Sequence, residues 1–408
     1  MNRLPAASDH LAEEASSGTW PPLQYEPRIL EPDDSPYQTH RQRVLAKEPY
    51  LASVTPEIAS LTSIRLPSDV ATLASEAATA IARFDQEFGS TLANFSAILL
   101  RSESASSSEI ENLTAGAKAI ALAAIGERSK RNATLIVANA TAMTRALELA
   151  DHLDQDAILA MHASLLGDEH PEWVGHWRTD QVRIGGTSVH SAFFVPPHHE
   201  RVPAAMDDLV RFLNRRDLPA FEQAAIAHAQ FETIHPFPDG NGRVGRALIH
   251  ALLKSRGLTH GVTVPVSAGL LANTGAYFDA LTRYRTGDPA TIVQLMAEAS
   301  FDAINNGRQL VDQLREVHAE WRTRLKVRID SSAWRVSELL MRQPAVTSSL
   351  VSSELGISQS MSDRAIARLA EARILLEVSG NRRNRQWVAP EVLSALDNFA
   401  RRAKRGRI

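Results

Sequence analysis

The chain has 408 residues, 44% of them hydrophobic and 22% charged, with a formal net charge of −3. Such a length allows two or three domains with cores of their own, and the composition is ordinary for a globular protein. The slight acidity argues against a chain-wide nucleic-acid surface, and the absence of cysteine excludes disulfides, thiolate metal sites and cysteine nucleophiles.

Residues 1–45 gather Pro21, Pro22, Pro27, Pro32 and Pro36 among Glu, Asp and Ser, a texture expected to be extended or poorly ordered. Residues 1–20 lack the apolar core of a signal sequence, and no later run reaches membrane-spanning length. A cytoplasmic protein without membrane contact is therefore expected. Residues 46–150 read as an N-terminal helical region, with dense Ala, Leu and Ile at helical spacing over about 69–100 and 114–152. Between those stretches lies a polar, serine-rich patch from Arg101 to Asn112. A central unit, 151–300, changes texture at Pro171: Ile184, Gly185, Gly186 and the run Phe193 to Pro197 suggest a short β-hairpin and an extended segment. Helical spacing returns over about 203–214, 219–234, 242–256 and 289–328, with 301–330 read as a linker helix. The expected architecture is mostly α.

Residues 235–246 read His-Pro-Phe-Pro-Asp-Gly-Asn-Gly-Arg-Val-Gly-Arg. Apolar positions before them (Ala224, Phe231, Ile234) and after them (Val244, Leu248, Leu252) place a polar loop between two helices, the second opening at the glycines. Free N–H groups at a helix start, bared by Gly240 and Gly242, form an anion cradle. Arg243 and Arg246 leave one helical face and can serve one polyphosphate. Asn241 adds a neutral donor, and Asp239 is a lone hard-oxygen ligand of the kind Mg²⁺ takes beside phosphates. His235 can accept a proton from an incoming hydroxyl near neutral pH. The residues alone specify phosphoryl or nucleotidyl transfer from a nucleotide, and no more.

The stretch resembles the motif of the Fic (filamentation) family, His-x-Phe-x-Asp/Glu-Gly-Asn-Gly-Arg-x-x-Arg. All fixed positions match: His235, Phe237, Asp239, Gly240, Asn241, Gly242, Arg243 and Arg246. Residues 227–234 also resemble the helix that precedes the motif. Over about residues 40–390 the resemblance implies a Fic-type helical core with a small β-hairpin flap. It implies transfer of AMP from ATP to a Ser, Thr or Tyr hydroxyl of a target protein, with release of pyrophosphate. His235 would be the base, the phosphates would lie on Gly240, Asn241, Gly242, Arg243, Val244, Gly245 and Arg246, and Asp239 would hold Mg²⁺. Phe194, Val195 and Pro196 resemble the flap, which aligns a target peptide by strand addition. Tyr277 falls where the family places an aromatic near the nucleotide base.

The serine-rich patch gains a meaning from the same resemblance. Ser107-Ser108-Glu109-Ile110-Glu111-Asn112 resembles the family's inhibitory motif, Ser/Thr-x-x-x-Glu-Gly/Asn, at Ser107, Glu111 and Asn112. On a helix Ser107 and Glu111 lie one turn apart. A carboxylate docked on Arg246 would take the charge meant for the γ-phosphate and leave ATP misaligned for in-line attack.

Residues 331–408 have the grammar of a winged helix-turn-helix domain: two short helices meeting near Gly356, a third from Ala365 to Leu369, then Ile374 to Val378, a turn at Gly380 to Arg385, and Gln386 to Val388. From 381 to 408 eight Lys/Arg face two Asp/Glu, so this module is the candidate contact for DNA phosphates. The expected protein is an autoinhibited adenylyltransferase using ATP and Mg²⁺. Its target is an unknown protein or itself, with Tyr25, Tyr37, Tyr50, Tyr277 and Tyr284 among the acceptors, and a homodimer around the 101–112 helix could regulate it. The alternatives are a DNA-binding regulator whose Fic-like domain senses nucleotide, and a hydrolase that removes AMP with Glu111 orienting water. An intact His235 favours an enzyme, because binding alone needs no base.

Overall fold

A computed structural model of the chain describes residues 20–30, 47–62, 64–89, 93–328, 331–379 and 384–405. The mostly helical architecture is what forms. Helix α1 (Ser68–Gly89) buries Val70, Ala74, Ala77, Ile81, Phe84 and Phe88, steps of three and four that keep one face inward. Helix α2 (Ala93–Ile110) contains most of the serine-rich patch, from Arg101 onward. Ser102, Ser104, Ser106, Ser107 and Ser108 are all buried. Two of these hydroxyls are satisfied by the helix itself, Ser102 Oγ donating to Ile98 O and Ser104 Oγ to Leu100 O, each at 2.9 Å. The 114–152 stretch divides at Gly126, whose φ is 98°, into α3 (Ala117–Ala123) and α4 (Arg131–Glu148).

Helix α2 is bolted into the core by a buried carboxylate. Glu103, fully buried, lies 2.9 Å from His250 Nε2 and accepts the Ser267 N–H at 2.8 Å and the Ser267 hydroxyl at 2.5 Å. Those partners sit on α8 (Asn241–Ser255) and α9 (Val266–Leu271). A carboxylate is tolerated there because its lone pairs are filled.

Helices α5 (Gln155–Leu166) and α6 (Val202–Leu213) precede the central α7 (Ala220–Ile234). Nearly every position of α7 is buried, the pattern of a helix with no solvent face. It packs against α6, α8, α10 (Thr274–Arg285) and the long α11 (Ala290–Arg324). Within the segment read as extended, β1 (Gln24–Arg28) pairs antiparallel with β2 (Tyr50–Val54), Gln24 opposite Val54. Residues 1–19 and 31–46, with Pro32, Pro36 and Tyr37, lie outside the described residues. Ser53 of β2 donates its N–H to Val195 O at 3.1 Å, which draws the 194–197 segment alongside this ladder.

The C-terminal module runs α12 (Ser332–Arg342), β3 (Ala345–Thr347), α13 (Ser348–Leu355), α14 (Gln359–Glu371), β4 (Leu376–Glu377), β5 (Gln386–Val388) and α15 (Pro390–Ala403). Its sheet has the order β3–β5–β4, all antiparallel. Thr347 and Ser358 cap α13 and α14, and Gly356, with φ 61°, makes the left-handed corner between them. Gly380 to Arg383, the tip of the expected wing, lies outside the described residues. The module is seated on the helical body: α12 and α15 pack against α2, and α15 also against α3 and α11. Two residues of the basic tail reach that contact. Lys404 Nζ meets Glu109 at 2.5 Å, and Arg402 Nε donates to Asn306 Oδ1 at 2.6 Å. No helix among the described residues is long and apolar enough to cross a membrane.

Candidate active site

Helix α7 ends at His235, which takes the left-handed conformation (φ 51°, ψ 61°) and donates its N–H to Phe231 O at 2.9 Å. A non-glycine residue there costs about 1–3 kcal/mol and persists only where its surroundings hold it. Arg178 does the holding: its Nε donates to His235 O at 2.9 Å, and its backbone N–H to Pro236 O at 2.9 Å. The imidazole Nδ1 lies 3.3 Å from Glu232 O. A proton on Nδ1 bonded to that carbonyl leaves Nε2 with a free lone pair. Burial pushes the His235 pKa down to about 4, so the ring is neutral at physiological pH.

The loop after His235 is braced from within. Asn241 Oδ1 accepts the Phe237 N–H at 2.9 Å, and Asn241 Nδ2 donates to Phe237 O at 2.8 Å. The expected role for this amide is that of a phosphate donor; the structure engages it in closing the loop, and the Asn241 backbone N–H stands at the start of α8. Phe237 is fully buried and stacked on His162, with ring centroids 3.8 Å apart. Gly240 (φ 84°) holds the left-handed conformation that favours glycine, and a Cβ there would also press on Leu165 Cδ2 at 2.9 Å. Gly245 permits the close α7–α8 approach, a Cβ there lying 2.9 Å from Glu232 Oε1 and 3.1 Å from His228 Nδ1. Val244 is fully buried, and its N–H is taken by Gly240 O at 3.0 Å.

Arg243 is buried, with Nη2 3.2 Å from Asp239 Oδ2 and with Nε and Nη1 lacking any partner. Two buried guanidinium donors without acceptors beside a glycine cradle describe a place made for an anion. Asp239 is more than half exposed and also takes the Gly240 N–H at 2.7 Å. No three His, Asp, Glu or Cys residues converge among the described residues. A single carboxylate next to a phosphate cradle fits Mg²⁺, which completes its shell with phosphate oxygens and water.

Arg246 is 1% exposed, and its partners are the residues of the inhibitory resemblance. Its Nε donates to Ser107 Oγ, and its Nη2 to Ser107 O and to Glu111 Oε1, each at 2.8 Å. Burial works against the charge, but Glu111, Tyr277 and Glu232 outweigh it and hold the pKa above the ordinary arginine value. Asn112 (φ 61°) turns the chain at the end of α2, where Leu113 N–H returns to Ser108 O at 3.0 Å. That left-handed cap explains why Asn or Gly suits the position and fixes the angle from which Glu111 leaves the helix.

These groups line a cleft of about 860 Å³, a size that suits a nucleotide-scale ligand. Tyr277 sits at its wall, buried, with its hydroxyl 2.8 Å from His228 Nε2. Its neighbour Phe278, 51% exposed, is the freer aromatic of the two. The expected hairpin is reduced to one bridge between Ile184 and Phe194. Phe194, Val195 and Pro196 point inward and are buried, with the Val195 carbonyl taken by Ser53 and the Pro196 carbonyl by Gln181. Phe193, 89% exposed, is what this segment presents to solvent.

Sequence reading missed Glu232, Arg285, Arg178 and His162. Glu232 is buried beside His235, its Oε2 3.8 Å from Nδ1 and its Oε1 without a partner, and burial raises its pKa to about 7. The Arg285 guanidinium lies 3.7 Å from the Phe194 ring centroid, its pKa lowered to about 10 by burial. Only Glu232 left a signal, a carboxylate one turn before His235.

Part of the chain is similar to known proteins. Residues 152–253 match the Fic/DOC family. Over 153 residues, 37% of this chain, the sequence is 33% identical to protein adenylyltransferase fic-1 of Caenorhabditis elegans; over 157 residues, 38% of this chain, it is 29% identical to protein adenylyltransferase Fic of Nematostella vectensis. The matches span 28% and 34% of those relatives' own length. A Fic family protein from Desulfovibrio desulfuricans shares the fold, with a TM-score of 0.51 and 22% identity over 82% of this chain and 98% of that one.

Proposed function

We propose that this chain is a protein adenylyltransferase that takes ATP and is silenced in the arrangement described. One observation carries the reading: a neutral histidine with a free ring nitrogen shares a cleft with two charged arginines, one short of acceptors and one held by a glutamate.

The residues assign themselves to steps. Backbone N–H groups at the start of α8 and the unpaired donors of Arg243 would hold the triphosphate. His235 Nε2 would take the proton as a target hydroxyl attacks the α-phosphorus, the new O–P bond forming while the bond to pyrophosphate breaks. Mg²⁺ on Asp239 would supply charge neutralisation of the phosphates. Arg246 would serve the γ-phosphate if freed. Glu111 Oε1 now stands where a Cβ on Gly242 would lie only 2.0 Å away, so the carboxylate occupies the cradle itself. The triphosphate then loses its in-line placement, which is most of what such a site contributes.

The test is intact-mass spectrometry of the Glu111→Gly protein with ATP and Mg²⁺, with and without lysate. A mass gain of one AMP on the protein or on a lysate component is expected, and His235→Ala in that background should abolish it. No AMP transfer by Glu111→Gly under either condition would sink the reading.

A further inference from the structure

Glu232 lies in the wall of the cleft, buried, and its Oε1 has no hydrogen-bond partner. A carboxylate withdrawn from water and left half-satisfied is unfavourable, so what its other oxygen faces is informative. Oε2 stands 3.8 Å from His235 Nδ1, the ring nitrogen that is not needed for taking a proton. The placement comes from the helix, since Glu232 lies in the last turn of α7, three residues before His235. Gly245 of α8 leaves the carboxylate its room: a Cβ there would come within 2.9 Å of Glu232 Oε1. The other charges felt by the ring are Arg178 and Arg285, which lower its pKa, and Glu111, which raises it. A ring that takes a proton here becomes a buried cation near two others, and a carboxylate against it offsets that cost.

We propose that Glu232 is a positioning residue for the base, its carboxylate meeting the positive charge that His235 acquires on taking the proton of the target hydroxyl. The proton leaves the hydroxyl oxygen for Nε2 and stays on the ring; Glu232 supplies charge and accepts no proton. Its main-chain carbonyl, 3.3 Å from Nδ1, already sets the tautomer, so the side chain is needed for charge alone. The groups facing Glu232 are Arg246 from α8, Glu111 from the end of α2, Arg285 and Tyr277 from α10, and His228 and His235 on its own side. Burial and Glu111 raise its pKa to about 7 against the pull of Arg246 and Arg285, so it is mostly ionised at pH 8 and mostly protonated at pH 6. Loss of Glu111 removes one of the raising charges, and in Glu111→Gly the carboxylate stays ionised to lower pH. The effect on transfer rests on the transferase reading; the contact between carboxylate and ring does not.

The experiment acylates the full-length protein with diethyl pyrocarbonate, which attacks a neutral imidazole and leaves it positive as the N–C bond forms. Peptide mass spectrometry follows the rate at His235, and no ATP is needed. At pH 8 Glu232→Gln, which keeps the shape and removes the charge, should react about five- to tenfold more slowly than the wild type. At pH 6, where the wild-type carboxyl is mostly protonated, the two rates should converge to within about twofold. Equal rates at pH 8 would overturn the assignment. So would an equal deficit at both pH values, which marks a structural defect and not a lost charge. Transfer gives a second measure. In the Glu111→Gly background at pH 8, Glu232→Gln should lower kcat about tenfold and leave KM for ATP unchanged. A raised KM with an unchanged kcat would overturn the role in the reaction. Absence of any labelling by Glu111→Gly itself would count against the transferase reading and leave the acylation rates to judge Glu232.

Discussion

Glu111 Oε1 accepts a hydrogen bond from Arg246 Nη2 at 2.8 Å while standing over Gly242, where even a methyl group would not fit beside it. One carboxylate thus meets the arginine and fills the bare stretch of helix start at once. Glu111→Gly empties both places. A charge-assisted bond to a buried partner is worth about 1.5–3 kcal/mol, and this glutamate is partly exposed, so initial AMP incorporation should rise about tenfold or more. Labelling with radioactive ATP measures it, and equal rates would refute the contact as a restraint.

Ser107 holds the same arginine from the other side, through its hydroxyl and its carbonyl. Ser107→Ala removes only the hydroxyl. The carbonyl and Glu111 remain, so labelling should rise two- to fivefold, on the order of the ~1 kcal/mol of one hydrogen bond. A rise matching that of Glu111→Gly would show that the glutamate is not the principal restraint.

Arg243 offers buried donors with nothing to bind. Arg243→Lys keeps the charge and loses the fork, and Arg243→Ala loses both. In the Glu111→Gly background kcat/KM for ATP should fall about tenfold for the lysine variant and about 100-fold for the alanine variant. Steady-state kinetics decides, and unchanged values for both would remove Arg243 from the phosphate site.

Acidity should act on stability through the buried histidines. Burial lowers His235 and His162 to about 4 and His228 to about 3, from 6.5. Between those values and 6.5 the unfolded chain binds more protons than the folded one, so stability falls as pH falls through that window. Glu232, raised to about 7 from 4.5, works the other way, because its folded form holds the extra proton. Three groups outweigh one. The melting temperature should drop between pH 6.5 and pH 4, and Glu232→Gln should steepen the drop. Activity should hold well below pH 6.5, because His235 stays unprotonated.

Glu103 predicts a structural effect. Glu103→Ala leaves His250 and the Ser267 N–H without their acceptor in a closed core. The loss should be about 3 kcal/mol, read as a lower urea midpoint, and a neutral result would mean water replaces the carboxylate.

How much of this could be read from residues alone follows from what distance along the chain conveys. The cradle was legible because Gly240, Arg243 and Arg246 act through positions a few residues apart on one helix. Ser107 and Glu111 were legible as one face, and their meeting with Arg246 came from family resemblance. The fate of the Asn241 amide was not, since the same residue type serves a ligand or a loop depending on which acceptors surround it. The inward turn of Phe194 to Pro196 depends on Ser53, more than 140 residues away. Glu103, Arg178 and Arg285 are ordinary charges in sequence and acquire meaning only from burial. The serine-rich patch is polar in sequence, and only the small size of serine shows why it lies inside.

The burial of α2 has a consequence for how such a protein is made. Its carboxylate bolt and its contact with α15 tie the body of the helix to the core, and Glu111 follows its last residue. The order of the chain adds to this. Synthesis reaches Glu111 before it reaches His235, and domains tend to fold from the N-terminal side as they emerge. Yet Glu103 is held by His250 and Ser267, which follow His235 in the chain, so on the proposed reading the restraint and the catalytic loop are completed together.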